Sequence, residues 1–292
     1  MENTKDRNYY YIFSACLITY IIFLSFQFFI TNGQMGVPLD DTWIHFQFAD
    51  NFSKGNFFQF NAGEYTAGTT SPLYVILLGG TSFIIENFII NSLFLSATFH
   101  LLSCFFIYKI SLKIFQSEFS PLKNLESKFL SPKSISFIVA LLTVINGRFA
   151  WSAMSGMETT MFTFFCIIGI YFHIQNLSKN KFNLLPALFI ALGTVLRPEG
   201  FLLFGLYLFD LILNLIKEKS LKRNLLTLIF SVIIFLAITL PYLIFSYNIS
   251  GHFFPNTFRG QGGGLQIIPN SEYLMNVILY FFKDNFITAF LY

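Results

Sequence analysis

Two adjacent carboxylates, Asp40-Asp41, are the sharpest chemical feature of this 292-residue chain. Side by side, two like charges cannot both ionise freely, so each raises the other's proton affinity. A carboxylate against an apolar wall is a competent general base, and Trp43, Phe46 and Phe48 supply such a wall. The competing role is structural, because Asp in front of an amphipathic helix caps it and Thr42–Phe52 has a helical pattern. Asp40 is expected to be the base because it comes first. Asp41 is better placed to cap the helix or to meet His45, one helical turn on. Further polar residues recur in short clusters: Glu64 in Asn61-Ala62-Gly63-Glu64, Glu158 in Ser155-Gly156-Met157-Glu158-Thr159, Arg197 and Glu199 in Arg197-Pro198-Glu199-Gly200, and Asn256 and Arg259 in Pro255-Asn256-Thr257-Phe258-Arg259. Brought together, these carboxylates, guanidinium groups and an amide would bind a polar, anionic substrate. Arg197 and Arg259 are the candidates to hold a phosphate, since a guanidinium forks onto such a group. Alternatively, Arg197 pairs with Glu199 or Glu158 and only fixes the loops.

The elements that must position these clusters are membrane helices. Hydrophobic residues are 54% of the chain and charged residues 11%. Soluble domains carry about 25% charged residues, so this chain cannot coat an ordinary globule. An aromatic content of 20% excludes disorder, and a net charge of +3 gives no basis for nucleic-acid binding. Apolar runs sit at Tyr9–Phe29, Phe88–Tyr108, Ser134–Trp151, Met161–Asn176, Phe182–Leu196, Phe201–Ile216 and Leu225–Tyr247, which predicts about seven spans. The first follows Lys5 and Arg7 and has no cleavage pattern after it, so it reads as a retained helix and not as a leader. Cys16, Cys104 and Cys166 lie far apart in apolar runs; their spacing forms neither a disulfide framework nor a zinc site, and they read as buried or lipid-facing. The four histidines have no ligand spacing. His100 and His173 read as packed or interfacial, and Asp210, inside a span, as a structural hydrogen-bond partner of a neighbouring helix.

Charge separates the two sides. Thirteen of the 18 Lys and Arg residues fall in four segments, at the N-terminus, 109–133, 179–181 and 217–223, which hold only five acidic residues. Short loops rich in Lys and Arg stay cytoplasmic. The remaining loops carry nine acidic residues against five basic ones and hold every candidate site residue. Residue 71 and Lys109 then lie on opposite sides, so the chain between them crosses an odd number of times. One crossing, at Phe88–Tyr108, makes Pro72–Ile85 a short helix along the outer surface; the alternative is two extra spans with a basic outer loop. The first outer loop is 31–87, Tyr273–Phe282 is amphipathic, and a further span is expected to begin near 286.

Motifs in four segments of the chain, in order, resemble those of the polytopic GT-C glycosyltransferases that use polyprenyl-phosphate sugars, in particular the group that includes the mycobacterial terminal arabinofuranosyltransferases. The group's D-D-A-x-I-x-F-R-Y-A, N-x-G-E and T-S-P-L correspond to Asp40–Ala49, Asn61–Glu64 and Thr70-Ser71-Pro72-Leu73. Its S-G-[LM]-E-T, R-P-E-G and P-N-T-F correspond to Ser155–Thr159, Arg197–Gly200 and Pro255–Phe258. The resemblance implies an all-α membrane protein, a single GT-C-type helix bundle over 1–292 with juxtamembrane helices in the first outer loop. It implies an inverting transfer from a polyprenyl-phosphate sugar to a hydroxyl of a glycan, lipid or protein acceptor, on the outer face of the plasma (inner) membrane. Under it Asp40 and Asp41 are catalytic, and His45, Glu64, Glu158, Arg197, Glu199, Asn256 and Arg259 bind substrate. No cofactor is assigned, and a divalent metal is compatible with the carboxylates. Two positions depart from the group: its Arg is Gln47 here, and its Lys after P-N-T-F is Arg259, which keeps the positive charge. A transporter or lipid flippase, and a non-catalytic subunit of the same fold, are the competing readings. Neither inverted repeats nor broken mid-membrane helices, the marks of a transporter, are legible.

The charge split makes a direct prediction about sidedness. Cysteines introduced at Asn61 and Gln261 should react with an impermeant thiol reagent from outside, and one at Ser127 should not; outside labelling at Ser127 would overturn the single crossing.

Overall fold

A computed structural model of the chain describes residues 6–118, 120, 131–179, 182–217, 221–253 and 271–284. Among these the regular elements are all helices, and the sole β feature is an isolated antiparallel bridge between Gln59 and Tyr65. We number the helices in chain order. Four are long and apolar enough to cross a membrane: α1 (Asn8–Ile30), α4 (Phe88–Phe115), α7 (Thr159–Lys179) and α10 (Leu221–Ser250). A fifth candidate is the pair α5 (Pro132–Val144) and α6 (Gly147–Ala153), bent by 62° at the Ile145-Asn146 break, where Asn146 caps α6 through the Phe149 N–H at 3.0 Å.

Seven full-length spans are not what the helices provide. α8 (Leu185–Leu196) has 12 residues, about 18 Å at 1.5 Å per residue, against a hydrocarbon core of about 30 Å. Pro186 opens it, and Arg197 leaves helical geometry just before Pro198, since the residue before proline is pushed out of the α region. α9 (Gly200–Lys217) is also shorter than a typical span. The first outer segment holds two short helices, α2 (Asp41–Ser53) and α3 (Pro72–Thr81), so α4 is the one helix between residues 71 and 109 long enough to cross. α11 (Ser271–Asp284) coincides with the amphipathic stretch, and Leu274, Met275, Val277, Ile278 and Leu279 are exposed on it. The expected span near 286 lies outside the described residues.

α7 packs on α4 and α8, α5 on α4, and α10 on α8, with an aromatic-rich core of Phe46, Tyr74, Phe164 and Phe165 between α2, α3, α4 and α7. α1 joins at the edge and buries one stripe, Ile12, Cys16 and Tyr20, four residues apart. At one end Asp6 ties the N-terminal segment to the bundle: its carboxylate accepts from Tyr108 Oη at 2.6 Å and pairs with Lys133 at 3.0 Å. Two of the basic segments therefore share one end. His173 Nε2 meets Asp210 Oδ2 at 2.8 Å, joining α7 to α9 in the structural role expected of Asp210.

α2 and α3 approach closely at Gly79, where a Cβ would stand 2.7 Å from the Ala49 carbonyl oxygen, while at Gly80 it would meet open space. Gly79→Ala should lower thermal stability by about 1–3 kcal/mol, the usual cost of overpacking. Gly80→Ala should leave it unchanged or raise it by about 0.5–1 kcal/mol through helix propensity. Melting of the purified protein in detergent checks the pair.

Candidate active site

Glu158 is the centre of the site. It sits in the turn between α6 and α7, its side chain is only 4% exposed, and each carboxylate oxygen faces a basic partner. His45 Nε2, from the middle of α2, stands 3.3 Å from Oε2, and Arg197 Nε, just past α8, stands 3.8 Å from Oε1. Arg197 also reaches Glu199 Oε1 through Nη2 at 3.5 Å. Three of the motif-bearing segments, 113 and 39 positions apart along the chain, thus meet at one ion cluster. Burial alone pushes the Glu158 carboxyl up; the adjacent His45 and the charge of Arg197 outweigh it and hold the group below the ordinary carboxylate value.

The turn carrying Glu158 is bolted in place. Gly156 adopts φ +72°, and a Cβ there would stand 2.8 Å from Ser92 Oγ and 2.9 Å from Val37 Cγ1, so only glycine fits. Tyr74 Oη of α3 donates to the Gly156 carbonyl at 2.5 Å, Ser96 Oγ of α4 to the Met157 carbonyl at 3.0 Å, and Thr42 Oγ1 of α2 to the Ser155 carbonyl at 3.3 Å. Thr160 Oγ1 answers with a bond to the Ser96 carbonyl at 2.9 Å. The His45 ring lies edge-on to Tyr74 with centroids 5.4 Å apart. Three buried polar atoms of the site, His45 Nδ1, Glu158 Oε2 and Ser71 Oγ, have no hydrogen-bond partner among the described residues, although His45 Nε2 stands 3.3 Å from Oε2. Tyr74, Thr42 and Ser96 were not among the expected site residues; a tyrosine inside the apolar run Pro72–Ile85 was the available signal.

The carboxylate pair is arranged differently from expectation. Asp40, not Asp41, is the N-cap of α2, and its Oδ1 accepts the Asp41 N–H at 3.0 Å. His45 does not orient Asp41; its partner is Glu158. The reason is helical geometry: Asp41 is the first residue of α2, so its side chain leaves the helix at the solvent end, while His45 faces the core with Phe46 and Ala49. Both aspartates are exposed, and the Asp41 carboxylate has no side-chain partner among the described residues. Thr42 touches the Ser155–Gly156 turn, so Asp41 borders the same turn as Glu158.

Glu64 lies at the exposed tip of a turn in which Gln59 Oε1 accepts the Gly63 N–H at 2.6 Å. The structure gives its carboxylate no side-chain partner among the described residues and does not join it to the cluster. Gln47 donates to the Phe60 carbonyl at 3.1 Å and so fastens that loop. Tyr242, after the helix-internal Pro241 of α10, hydrogen-bonds the Thr69 carbonyl and packs with Phe245 against Phe58, docking the first outer segment on α10. Asn256 and Arg259 lie outside the described residues. A cleft of about 240 Å³ opens beside the end of α1, lined by Leu24, Phe28, Met35 and Leu93 with Gln27 and Gln34; none of the candidate site residues lines it.

Fold and site define an all-helical protein with several apolar helices long enough to span a membrane, carrying a buried carboxylate–histidine–arginine cluster at one end. Matched against family models, curated proteins and solved structures, the chain has no counterpart among them.

The depressed Glu158 ionisation has a pH consequence. A carboxylate whose folded value lies below its unfolded one adds stability above the unfolded value and loses it as pH falls through the folded value. Wild type should therefore be more stable than Glu158→Gln at neutral pH, and the difference should shrink below the ordinary value of 4.5. Thermal melts of both proteins between neutral and acid pH measure it; a difference that does not change with pH would mean that the Glu158 charge contributes nothing.

Proposed function

We propose that this chain is a membrane glycosyltransferase of the GT-C type that transfers a sugar, with inversion, from a polyprenyl phosphate to a hydroxyl acceptor on the outer face of the plasma membrane. The observation that carries this reading is the meeting of three motif segments at Glu158, with His45 at 3.3 Å and Arg197 at 3.8 Å. In this reading α8 and α9 are short spans which, with the four long helices and the bent pair, make seven crossings, and the N-terminus is cytoplasmic. The shared end of Asp6 and Lys133 agrees with it.

The acceptor hydroxyl oxygen attacks the anomeric carbon opposite the phosphate. The bond from that carbon to the phosphate oxygen breaks, and the hydroxyl proton passes to a carboxylate. A phosphate monoester dianion is already a fair leaving group, so the poor partner is the hydroxyl. The general base comes from the Asp40-Asp41 pair, and Asp41 is the better candidate, because Asp40 caps α2 while Asp41 is exposed beside the Ser155–Glu158 turn. Arg197 neutralises the departing phosphate together with Arg259. Its contacts to Glu158 and Glu199 leave other N–H groups of the guanidinium for that purpose, and its side chain is 36% exposed. Glu158 and His45 orient Arg197 and shape the floor; Glu64, which stands apart from the cluster, and Asn256 are the remaining candidates for contacts to the sugar. A non-catalytic subunit of the same fold is the second reading, favoured by Gln47, which fastens the loop at Phe60 where the resembling group carries Arg.

Transfer from a radiolabelled polyprenyl-phosphate sugar by the purified protein tests the proposal. Asp41→Asn should lower the rate by about 10²–10⁴-fold, the range of general-base catalysis, with donor binding and melting unchanged. Asp40→Asn should cost less, because asparagine caps as well as aspartate. Arg197→Ala should weaken donor binding by about 1.5–3 kcal/mol, the worth of a hydrogen bond to a charged group. No transfer by wild type with any such donor would favour the non-catalytic subunit, and wild-type turnover by Asp41→Asn would return the base to Asp40.

A further inference from the structure

Away from the carboxylate cluster, α1 and α4 bring together the only group of three metal-ligating side chains among the described residues: Cys16, His100 and Cys104. Both sulfurs and a ring nitrogen of His100 lie within 4.8 Å of one another, and all three residues are fully buried. Cys16 and Tyr20 are one turn apart on α1, and His100 and Cys104 one turn apart on α4, so each helix presents two of the four polar groups on one face.

The hydrogen bonds assign the histidine's tautomer. Tyr20 Oη donates its single proton to the Ala97 carbonyl at 2.9 Å, so at its 2.7 Å contact with His100 Nδ1 the ring must be the donor. Nε2 then carries the lone pair, and it is buried with no hydrogen-bond partner among the described residues. This is how metal-binding histidines are held, with one nitrogen fixed by an outer hydrogen bond and the other turned to the ion. Around the group lie Phe149, 4.5 Å from the His100 ring by centroid, and the apolar side chains of Val144, Ala153 and Met154.

We infer that Cys16, His100 and Cys104 form a site for a zinc ion that clamps α1 to α4 inside the bundle. Two thiolates and a neutral imidazole are soft-to-borderline ligands suited to zinc or copper(I), whereas calcium and magnesium require oxygen. Net charge decides between the first two: Zn²⁺ with two thiolates and a neutral imidazole is a neutral centre, but Cu⁺ with the same set keeps a negative charge, which is costly at membrane depth. On binding, each Cys S–H gives its proton to solvent and two Zn–S bonds form; two protons leave for one Zn²⁺, and no electron moves. Zn–S bonds of about 2.3 Å place tetrahedral sulfurs about 3.8 Å apart, so the present separations need only small side-chain rotations. Tyr20 Oη, held at the opposite ring nitrogen, is the outer partner that fixes the imidazole and not a ligand; the fourth position would be taken by a water molecule. The clamp suits α1, whose buried stripe is Ile12, Cys16 and Tyr20: two of its three anchors belong to the centre.

The test uses the whole chain purified in detergent. Metal analysis after addition of one equivalent of Zn²⁺ and desalting should find one zinc per wild-type chain, the same for Cys166→Ser, and background for Cys16→Ser and Cys104→Ser. Substituting Co²⁺ into the wild-type protein should give the intense thiolate-to-metal absorption of a two-sulfur site, which needs no variant to fold. The inference is overturned if folded wild-type protein retains neither ion, if it retains copper(I) in preference to zinc, if mass spectrometry finds Cys16 and Cys104 joined as a disulfide, or if a Cys16→Ser, Cys104→Ser double variant keeps zinc at the wild-type level.

Discussion

A carboxylate that is 4% exposed beside the ends of apolar helices is the constraint on which the rest of this structure depends. An unpaired buried charge would cost several kcal/mol, so Glu158 requires basic partners, and they must come from outside its own turn. His45 arrives on α2 and Arg197 from the end of α8. For α2 to deliver an imidazole there, the first outer segment must fold back onto the bundle, which it does through α3 and through the contacts of Phe58 and Thr69 with α10. For α8 to deliver its arginine, it must stop early, and the Arg197-Pro198 junction stops it.

Close backbone approach makes the convergence possible. Gly156 gives the turn a left-handed conformation and lets Ser92, Val37 and Thr42 lie against it, and Gly79 lets α3 press onto α2. The hydroxyls of Tyr74, Ser96 and Thr42 then satisfy three successive carbonyls of the turn. In a membrane setting, where water cannot repair a missing bond, these pairs do for an irregular segment what helical bonding does for the spans.

The two polar centres differ in kind. The Glu158 cluster lies at a helix end, is charged, and adjoins exposed groups that can meet a soluble or lipid-borne substrate. The Cys16–His100–Cys104 group lies in the middle of two spans, is lined by apolar side chains, and is neutral both as free thiols and, on our inference, with zinc bound. On the readings proposed above, the first serves exchange with a ligand and the second holds two helices together, a difference that follows from depth: charge is tolerated at the surface of the bilayer and must cancel inside it.

Composition and run length alone determined that this chain is helical and apolar enough for a membrane, because hydrophobicity sums locally and needs no partner. The helical pattern of Thr42–Phe52, the short helix after Pro72 and the structural role of Asp210 were legible for the same reason. Short local motifs also marked His45, Glu158 and Arg197 as chemically interesting. Their union was a tertiary decision, since nothing within four residues of His45 indicates that its partner lies 113 positions away. Tertiary structure also made Asp40, not Asp41, the cap of α2, because which of two adjacent residues becomes the cap depends on where the chain enters α2. It trimmed the already short apolar run Phe182–Leu196 to the 12 residues of α8. Cysteine spacing offered no metal site, because Cys16 and Cys104 are 88 residues apart; only the packing of α1 on α4 turns two pairs at helical spacing, Cys16 with Tyr20 and His100 with Cys104, into one buried group of ligands.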